Sequence, residues 1–361
     1  MSEALAGLVE RVRAARADKT PLAIQGGGSK AFYGEPAHGQ PLDVTGLAGI
    51  SSYEPSELVV TVQAGTPLAE LEAALAETGQ CLPFEPPHFA AAATVGGMVA
   101  AGLAGPARAA VGGVRDYVLG ATLLNGRAEL LAFGGTVMKN VAGYDVSRAL
   151  AGSMGCLGVI VEVSLKVLPQ AHATLTLRLE MDEAQAIQRL NEWGGQPLPL
   201  NATAWWEGTL VLRLSGAVAA VRAARERLGG DVVQADMAAG FWTGLRDHSD
   251  EFFAAAGQAV QGGAALWRLS VPATTPPLKL SGEQLMEWGG AQRWLCTSAP
   301  AAAVRDAASG AGGHATLFRA LDKRGGVFAP LSPPLQRIQR ELKAAFDPDG
   351  VFNPGRLYPG L

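Results

Sequence analysis

The chain has 361 residues and a formal net charge of -4 with an isoelectric point near 5.8, so nothing electrostatic favours a nucleic-acid partner. Hydrophobic residues make up 48% and charged residues 17%, short of the roughly 25% of charged residues in an ordinary soluble domain. The length suits two domains, and the charge deficit points to a surface partly covered by a partner. Cys81, Cys156 and Cys296 are widely separated; they match no zinc or iron–sulfur spacing, and a reducing, cytoplasmic setting is expected. Residues 1–5 lack the basic flank and apolar run of a secretory signal.

In chain order, residues 4–17 are predicted as an amphipathic helix, with Leu5, Leu8, Val9 and Val12 at helical spacing. Leu22, Ala23 and Ile24 form a short buried strand that runs into the glycine loop of Gln25, Gly26, Gly27, Gly28, Ser29 and Lys30. Residues 42–44 and 58–62 are further strand candidates. Thr66 is placed as a helix N-cap with Pro67 in the first turn, Leu68, Leu71 and Leu75 as the inner stripe and Gly79 as the C-terminal cap. Pro86, Pro87 and His88 lead to a second glycine loop, Thr94, Val95, Gly96, Gly97 and Met98. Residues 89–107 carry no charge, but their five glycines and prolines favour a buried loop and helix around a ligand over a membrane span.

Residues 117–133 read as a hairpin in which Asn125 and Gly126 supply the positive-φ turn positions. Asp145 is placed as the cap of a short helix ending near Gly152, and residues 161–167 alternate as a half-buried strand closed by Pro169. The second half is expected to be an antiparallel sheet with helices: a strand at 174–179, a helix at 182–193, a hairpin turning at Glu207 and Gly208, and a helix at 217–228. The same strand, helix, hairpin, helix order is expected to recur through 264–320. Trp205, Trp206, Trp242 and Trp267 are expected in its core or against a partner. Ser332 and Pro333 begin a last helix to about residue 346, followed by a turn-rich tail through Phe352, Asn353, Pro354 and Gly355.

Glycine lets successive N–H groups converge on one anion. Two such loops about seventy residues apart suggest a clamp on a diphosphate-containing cofactor. The order of these segments, with Gly113 to Gly120, Lys139 to Asp145, Gly158 to Ile160 and the Asn353 tail, resembles the vanillyl-alcohol oxidase / p-cresol methylhydroxylase family over residues 20–169 plus the tail. Within it, the chain is most similar to the smaller FAD-binding subunits of bacterial glycolate oxidases.

That resemblance implies an α+β fold: a two-subdomain FAD-binding domain at 1–169, a smaller antiparallel, ferredoxin-like cap domain at 170–330, and a C-terminal helix and tail at 331–361 returning toward the first domain. It implies FAD whose pyrophosphate meets the amides of Gly26, Gly27, Gly28 and Ser29 on one side and of Thr94, Gly96 and Gly97 on the other. Gln25, Lys30, Pro86, Val95, Met98, Gly155, Gly158, Val159, Ile160 and Asn353 complete the implied cofactor set, with Val159 and Ile160 toward the adenine. Many relatives attach flavin covalently through a histidine after the first loop; here Lys30, Ala31 and Phe32 stand there, so FAD is expected to be non-covalent. The implied activity is oxidation of a small 2-hydroxy acid, glycolate to glyoxylate, in a complex with a catalytic flavoprotein subunit and an iron–sulfur subunit. The implied location is cytoplasmic, at most peripheral to the inner membrane through those partners. No metal is expected.

The departures keep other roles open. Catalytic relatives carry an acid and a hydroxyl where Met154 and Cys156 stand, and a His- and Asp-bearing cap motif of which only His314 remains. Oxidising a hydroxy acid needs a base and a cation for the carboxylate. His88, Lys139 and His314 are the candidates for such work, with Arg115 and Tyr144 as further residues near the loops; each also has a structural reading, packing or loop hydrogen bonding for His88, His314 and Tyr144 and solvation for Lys139 and Arg115. The alternatives are a catalytically silent flavin-binding subunit for assembly or electron relay, and a self-sufficient FAD-linked dehydrogenase of another 2-hydroxy acid. The nicotinamide fingerprint Gly-x-Gly-x-x-Gly is absent.

Overall fold

The computed structural model describes residues 1–136 and 145–361. The chain divides into two compact units. The first comprises Met1–Leu103, Gly113–Pro169 and Pro330–Leu361; the second comprises Ala104–Gly112 and Gln170–Ala329. The boundary expected after residue 169 came from strand patterning, and nothing in that pattern marks the excursion of residues 104–112.

The first unit opens with α1 (Glu3–Ala17), whose Ser2 hydroxyl accepts from the Leu5 amide at 3.3 Å. Leu8, Val9, Val12 and Ala15 are its buried stripe. β1 (Leu22–Gln25) runs parallel to β2 (Gln40–Asp43), with Leu22 opposite Gln40 and Gln25 opposite Asp43. The C-terminal tail lies on the other side of β1, where Leu22 forms a parallel bridge with Phe352. Leu22, Leu42 and Phe352 then close over the α1 stripe in one apolar cluster.

Next come β3 (Ile50–Glu54), β4 (Val59–Gln63), α2 (Leu68–Glu77), the two-residue β5 (Gln80–Cys81) and α3 (Val95–Ala101). After the short α4 (Arg108–Val111), which belongs to the second unit, follow α5 (Val114–Tyr117), β6 (Val118–Leu124), β7 (Leu130–Gly134), β8 (Val159–Lys166) and β9 (Leu168–Pro169), which pairs with β5. An antiparallel sheet takes the order β3-β4-β8-β6-β7. Its middle strands are buried on both faces, as their runs of Val and Leu require.

Three local readings need correction. Thr66 does not cap α2: its hydroxyl donates to the Gln63 carbonyl at 2.7 Å and accepts from the Gly49 amide at 2.9 Å, while Pro67 holds the cap position. The β6–β7 hairpin exists, but its left-handed residue is Ala128 (φ 61°), not Asn125 or Gly126. The Asn125 side chain shapes the turn instead, accepting from the amides of Arg127 and Glu129 at 2.9 Å each. Asp145 supports only one 3₁₀ turn, Ser147–Leu150, accepting from the Ser147 hydroxyl at 2.9 Å and the Arg148 amide at 3.4 Å.

In the second unit, β10 (Ala173–Glu180), α6 (Glu183–Gly194), β11 (Leu200–Trp206), β12 (Thr209–Gly216), α7 (Val218–Leu228) and β13 (Asp231–Val233) form one half. After α8 (Ala235–Asp247) and α9 (Glu251–Gln261), β14 (Ala265–Ser270), β15 (Glu283–Glu287), β16 (Gln292–Thr297), α10 (Ala301–Gly310) and β17 (His314–Arg319) form the other. All eight strands make one sheet in the order β13-β10-β12-β11-β15-β16-β14-β17. Each half thus has the ferredoxin-like order fourth, first, third, second, and the two second strands, β11 and β15, meet as Ala204 opposite Glu287 and Trp205 opposite Met286. The β11–β12 turn has both central residues left-handed, Glu207 (φ 44°) and Gly208 (φ 79°). The expected repeat is incomplete: no helix joins β14 to β15, where Pro272, Pro276 and Pro277 interrupt any helical hydrogen bonding. Trp242 and Trp267 are buried there, and Trp205 and Trp206 are half-buried.

The last helix, α11 (Pro333–Phe346), belongs to the first unit and is mostly exposed except at Lys343. The Lys343 ammonium donates to Asp347 Oδ2 at 2.6 Å and to the carbonyls of Cys156 and Phe352 at 2.7 Å each. Asp347 in turn accepts from the amides of Val351 and Phe352 at 3.0 and 2.7 Å. Every charge in this buried knot has a partner, which is the condition for a buried ion pair to be tolerated. Among the described residues, no helix is long and apolar enough to cross a membrane; the uncharged stretch at 89–107 supplies only the seven-residue helix α3.

A candidate phosphate cradle at the end of the first strand

β1 ends at Gln25, and the chain then turns through Gly26, Gly27, Gly28 and Ser29. These four residues are half-buried or exposed, and among the described residues their amides donate to no protein acceptor. Four consecutive unspent donors, with Gly28 at φ 69° turning the backbone, make a nest that an anion can enter. The loop exits through one tight turn from Gly28 to Ala31 and another from Lys30 to Tyr33, at 3.0 Å each.

The second glycine loop packs directly against the first. A Cβ on Gly27 would stand 1.4 Å from the Ala92 carbonyl oxygen, and one on Gly26 would stand 2.6 Å from Thr94 Oγ1. Only glycine permits that approach at either position. The partner loop is itself pinned: Leu68 at the start of α2 donates to Ala93, and Val95 at the start of α3 donates to Thr66, at 2.7 and 3.0 Å. The Thr94 hydroxyl caps α3 by accepting from Gly97 at 3.2 Å.

The amide roles implied for the second loop change accordingly. The Gly96 amide is committed to the Ala64 carbonyl at 2.7 Å and Met98 to Thr94 at 2.9 Å, so neither points donors at a ligand. Gly96 is small for another reason: a Cβ there would meet the Ala64 Cβ at 2.6 Å, so the residue lets α3 seat against the end of β4. Among the described residues the Thr94 amide is unspent, which leaves Thr94 as the donor this loop offers to the cradle.

Beside the loops, the buried Lys30 reaches Ser29 Oγ at 3.3 Å and the His88 carbonyl at 3.4 Å, with its ammonium 5.6 Å from the Phe89 ring centre. His88 Nε2 lies 2.9 Å from Glu72 Oε2 on α2, so that ring nitrogen is engaged by a carboxylate. Pro86 is buried in the same loop.

Other residues of the implied set also make framework contacts. Asn353, left-handed at φ 41°, accepts from the Ile24 amide at 2.7 Å and donates to the Met154 carbonyl at 2.6 Å. Gly155 leaves room for it, since a Cβ would stand 2.6 Å from Asn353 Nδ2. Gly158 faces the Leu124 carbonyl in the same way, and Val159 and Ile160 lie buried in β8 opposite Leu124 and Leu123. Burial raises the Cys156 thiol above its usual range. His314 begins β17 in the second unit, exposed, its imidazole held below its usual range by desolvation and by Arg268. Among the described residues no three His, Cys, Asp or Glu side chains gather as a metal site. Lys139 and Tyr144 lie outside the described residues, and Arg115 lines a cavity of about 370 Å³ with Asp145 and Arg148.

Sequence reasoning missed Arg356. Its guanidinium donates to the carbonyls of Ala31 (3.0 Å), Tyr33 (2.5 Å) and Glu35, the turn leaving the first loop. An arginine three residues beyond an asparagine that itself binds β1 was the available signal.

Such a loop pair defines a protein built to hold a phosphate-bearing cofactor, and residues 4–134 match the model of an FAD binding domain. The glycolate oxidase subunit GlcE of Escherichia coli (strain K12) is 51% identical over 354 residues, covering 98% of this chain and 97% of that protein. The chain therefore belongs to the family of that subunit, FAD-dependent oxidoreductase flavoproteins with a vanillyl-alcohol-oxidase-type FAD-binding fold. Partial matches include the glycolate oxidase subunit GlcD of Bacillus subtilis (strain 168), 30% identical over 36% of this chain and 27% of that one. A D-lactate dehydrogenase of Anaerostipes hadrus is 33% identical over 38% and 29%. Among solved structures, an alkyldihydroxyacetonephosphate synthase superposes with a TM-score of 0.63 at 15% identity, covering 96% of this chain and 74% of that one; it shares the fold.

Proposed function

We propose that this chain is the FAD-binding subunit of a glycolate oxidase complex, taking part in oxidation of glycolate to glyoxylate and passing electrons to a partner subunit. The observation that carries the cofactor placement is the row of unspent amides from Gly26 to Ser29, closed on one side by the Ala92 carbonyl and Thr94. FAD fits this cradle, because fixed N–H dipoles suit the two charges of a pyrophosphate and the glycines leave room for its oxygens. Bound there, FAD supplies the two-electron acceptor that oxidation of an alcohol requires.

The chain's own residues bind and orient. Gly26, Gly27, Gly28, Ser29 and Thr94 hold phosphate, Lys30 adds a nearby cation, and the neighbouring Phe32 and Phe89 rings, 5.3 Å apart, exclude water from that flank. Lys30, Ala31 and Phe32, not a histidine, stand directly after the first loop, which supports non-covalent FAD. The match along nearly the whole chain to a protein named as a subunit supports assembly with other subunits; in this reading they are a flavoprotein and an iron–sulfur partner, in the cytoplasm or peripherally at the inner membrane through them.

A second reading, a catalytically silent flavin-binding subunit, is favoured by the candidate bases. His88 is engaged with Glu72, and His314 has no second histidine or carboxylate ligand motif around it in the sequence. Anaerobic addition of glycolate to the FAD-loaded isolated chain separates the two. Bleaching of the flavin band supports turnover here; an unbleached band that bleaches once the partner subunits are added supports the silent role. A band that no subunit combination bleaches with glycolate overturns both.

A further inference from the structure

The C-terminal tail holds the candidate phosphate loop at both ends. At the entry, Asn353 accepts from the Ile24 amide and its own amide donates to the Leu22 carbonyl at 2.9 Å, fixing β1. At the exit, the buried Arg356 guanidinium spans the carbonyls of Ala31, Tyr33 and Glu35, and the Glu35 amide donates back to the Arg356 carbonyl at 3.1 Å. The segment between those anchors is the run of unspent amides, which also packs on Ala92 and Thr94 and is steadied by the Gly28–Ala31 turn and the Lys30 contact to Ser29 Oγ. Arg356 is itself tied to the loop's surroundings, because Asn353 anchors to Met154 and the Arg356 amide donates to the Asn353 carbonyl at 3.1 Å.

We propose that Arg356 is a positioning residue for FAD: the tail sets the curvature of the phosphate loop, and cofactor binding and tail docking are thermodynamically coupled. The proposal rests on the placement of FAD in this cradle. A planar, always-charged guanidinium can hold three carbonyls at fixed spacing, whereas a lysine ammonium on a flexible stem cannot reproduce that template. Coupling is reciprocal: if the docked tail raises FAD affinity, FAD must favour the docked tail by the same factor.

The test uses the full chain stripped of flavin, titrated with FAD and followed by flavin fluorescence. Arg356→Ala is expected to weaken FAD by roughly tenfold or more, within the usual span of coupled sites, with Arg356→Lys restoring only part of it. Thermal melts of the flavin-free variants separate this effect from loss of fold. On the wild-type chain, FAD is expected to slow carboxypeptidase removal of the residues after Arg356. Wild-type FAD affinity in a folded Arg356→Ala variant overturns the proposal, as does tail digestion indifferent to saturating FAD; should the variant not fold, the digestion decides alone. A wild-type chain that binds no FAD fails the cofactor placement itself and takes this proposal with it.

Discussion

Replacing Gly27 by alanine is the sharpest perturbation of the cradle. The added Cβ would sit 1.4 Å from the Ala92 carbonyl oxygen, and the Ala92 Cβ would be 3.0 Å away. Ordinary contact requires about 2 Å more separation from that oxygen, so one loop must retreat. Neither has slack: Ala93 and Val95 are bonded to the residues that start α2, and the first loop is held at both ends by the tail. A shift of that size removes at least two charge-assisted amide–phosphate bonds, each worth about 1.5–3 kcal/mol. The expected loss is therefore about 3–6 kcal/mol, or roughly 10²–10⁴ in FAD affinity at about 1.4 kcal/mol per decade. Gly28→Ala is the control: nothing crowds a Cβ there except Gln25 Nε2 at 3.7 Å, and the cost is the strain of φ 69°, about 1–2 kcal/mol. Titration of both flavin-free variants with FAD should rank Gly27→Ala well below Gly28→Ala. Equal affinities, or wild-type affinity in Gly27→Ala, would refute the packed-cradle argument.

Asp250 caps α9 through the Phe253 amide at 3.0 Å, and burial, with Glu251 adding repulsion, pushes its carboxyl up to about 6 from 3.8. A raised folded-state value means the charged form is costlier when folded, so this group's contribution to stability falls as pH climbs from about 4 to about 6. Asp250→Asn should thus add about 2–3 kcal/mol at pH 7.5 and nothing at pH 4, read from urea unfolding at the two pH values; a gain independent of pH would contradict it. Lys343→Met leaves the Asp347 carboxylate, 0% exposed, without its cation. It should cost about 3–5 kcal/mol, and a midpoint within error of wild type would show that the knot is not stabilising.

What could be read from residue order was whatever rests on periodicity and local turn chemistry. Leu8, Val9 and Val12 identify the inner face of α1, and Glu207 with Gly208 fixes the β11–β12 turn, because each signal is contained within a few neighbours. The errors lie where a distant segment decides. Thr66 looks like a cap until the Gly49 amide claims its hydroxyl. Gly96 looks like a ligand glycine until Ala64 fills the space beside it. The Asn353 motif does not reveal that its side-chain amide ties β1 to Met154, accepting from Ile24 and donating to the Met154 carbonyl. Gly27 is the opposite case, a loop glycine whose necessity is stronger than its spacing suggested, since its constraint comes from Ala92, sixty-five positions away.

A crystal structure of the FAD-loaded chain tests the central claim most directly. The account predicts pyrophosphate oxygens within hydrogen-bonding distance of the amides of Gly26 to Ser29, with Thr94 on the facing side. Pyrophosphate bound elsewhere, with those amides turned to solvent, would contradict it.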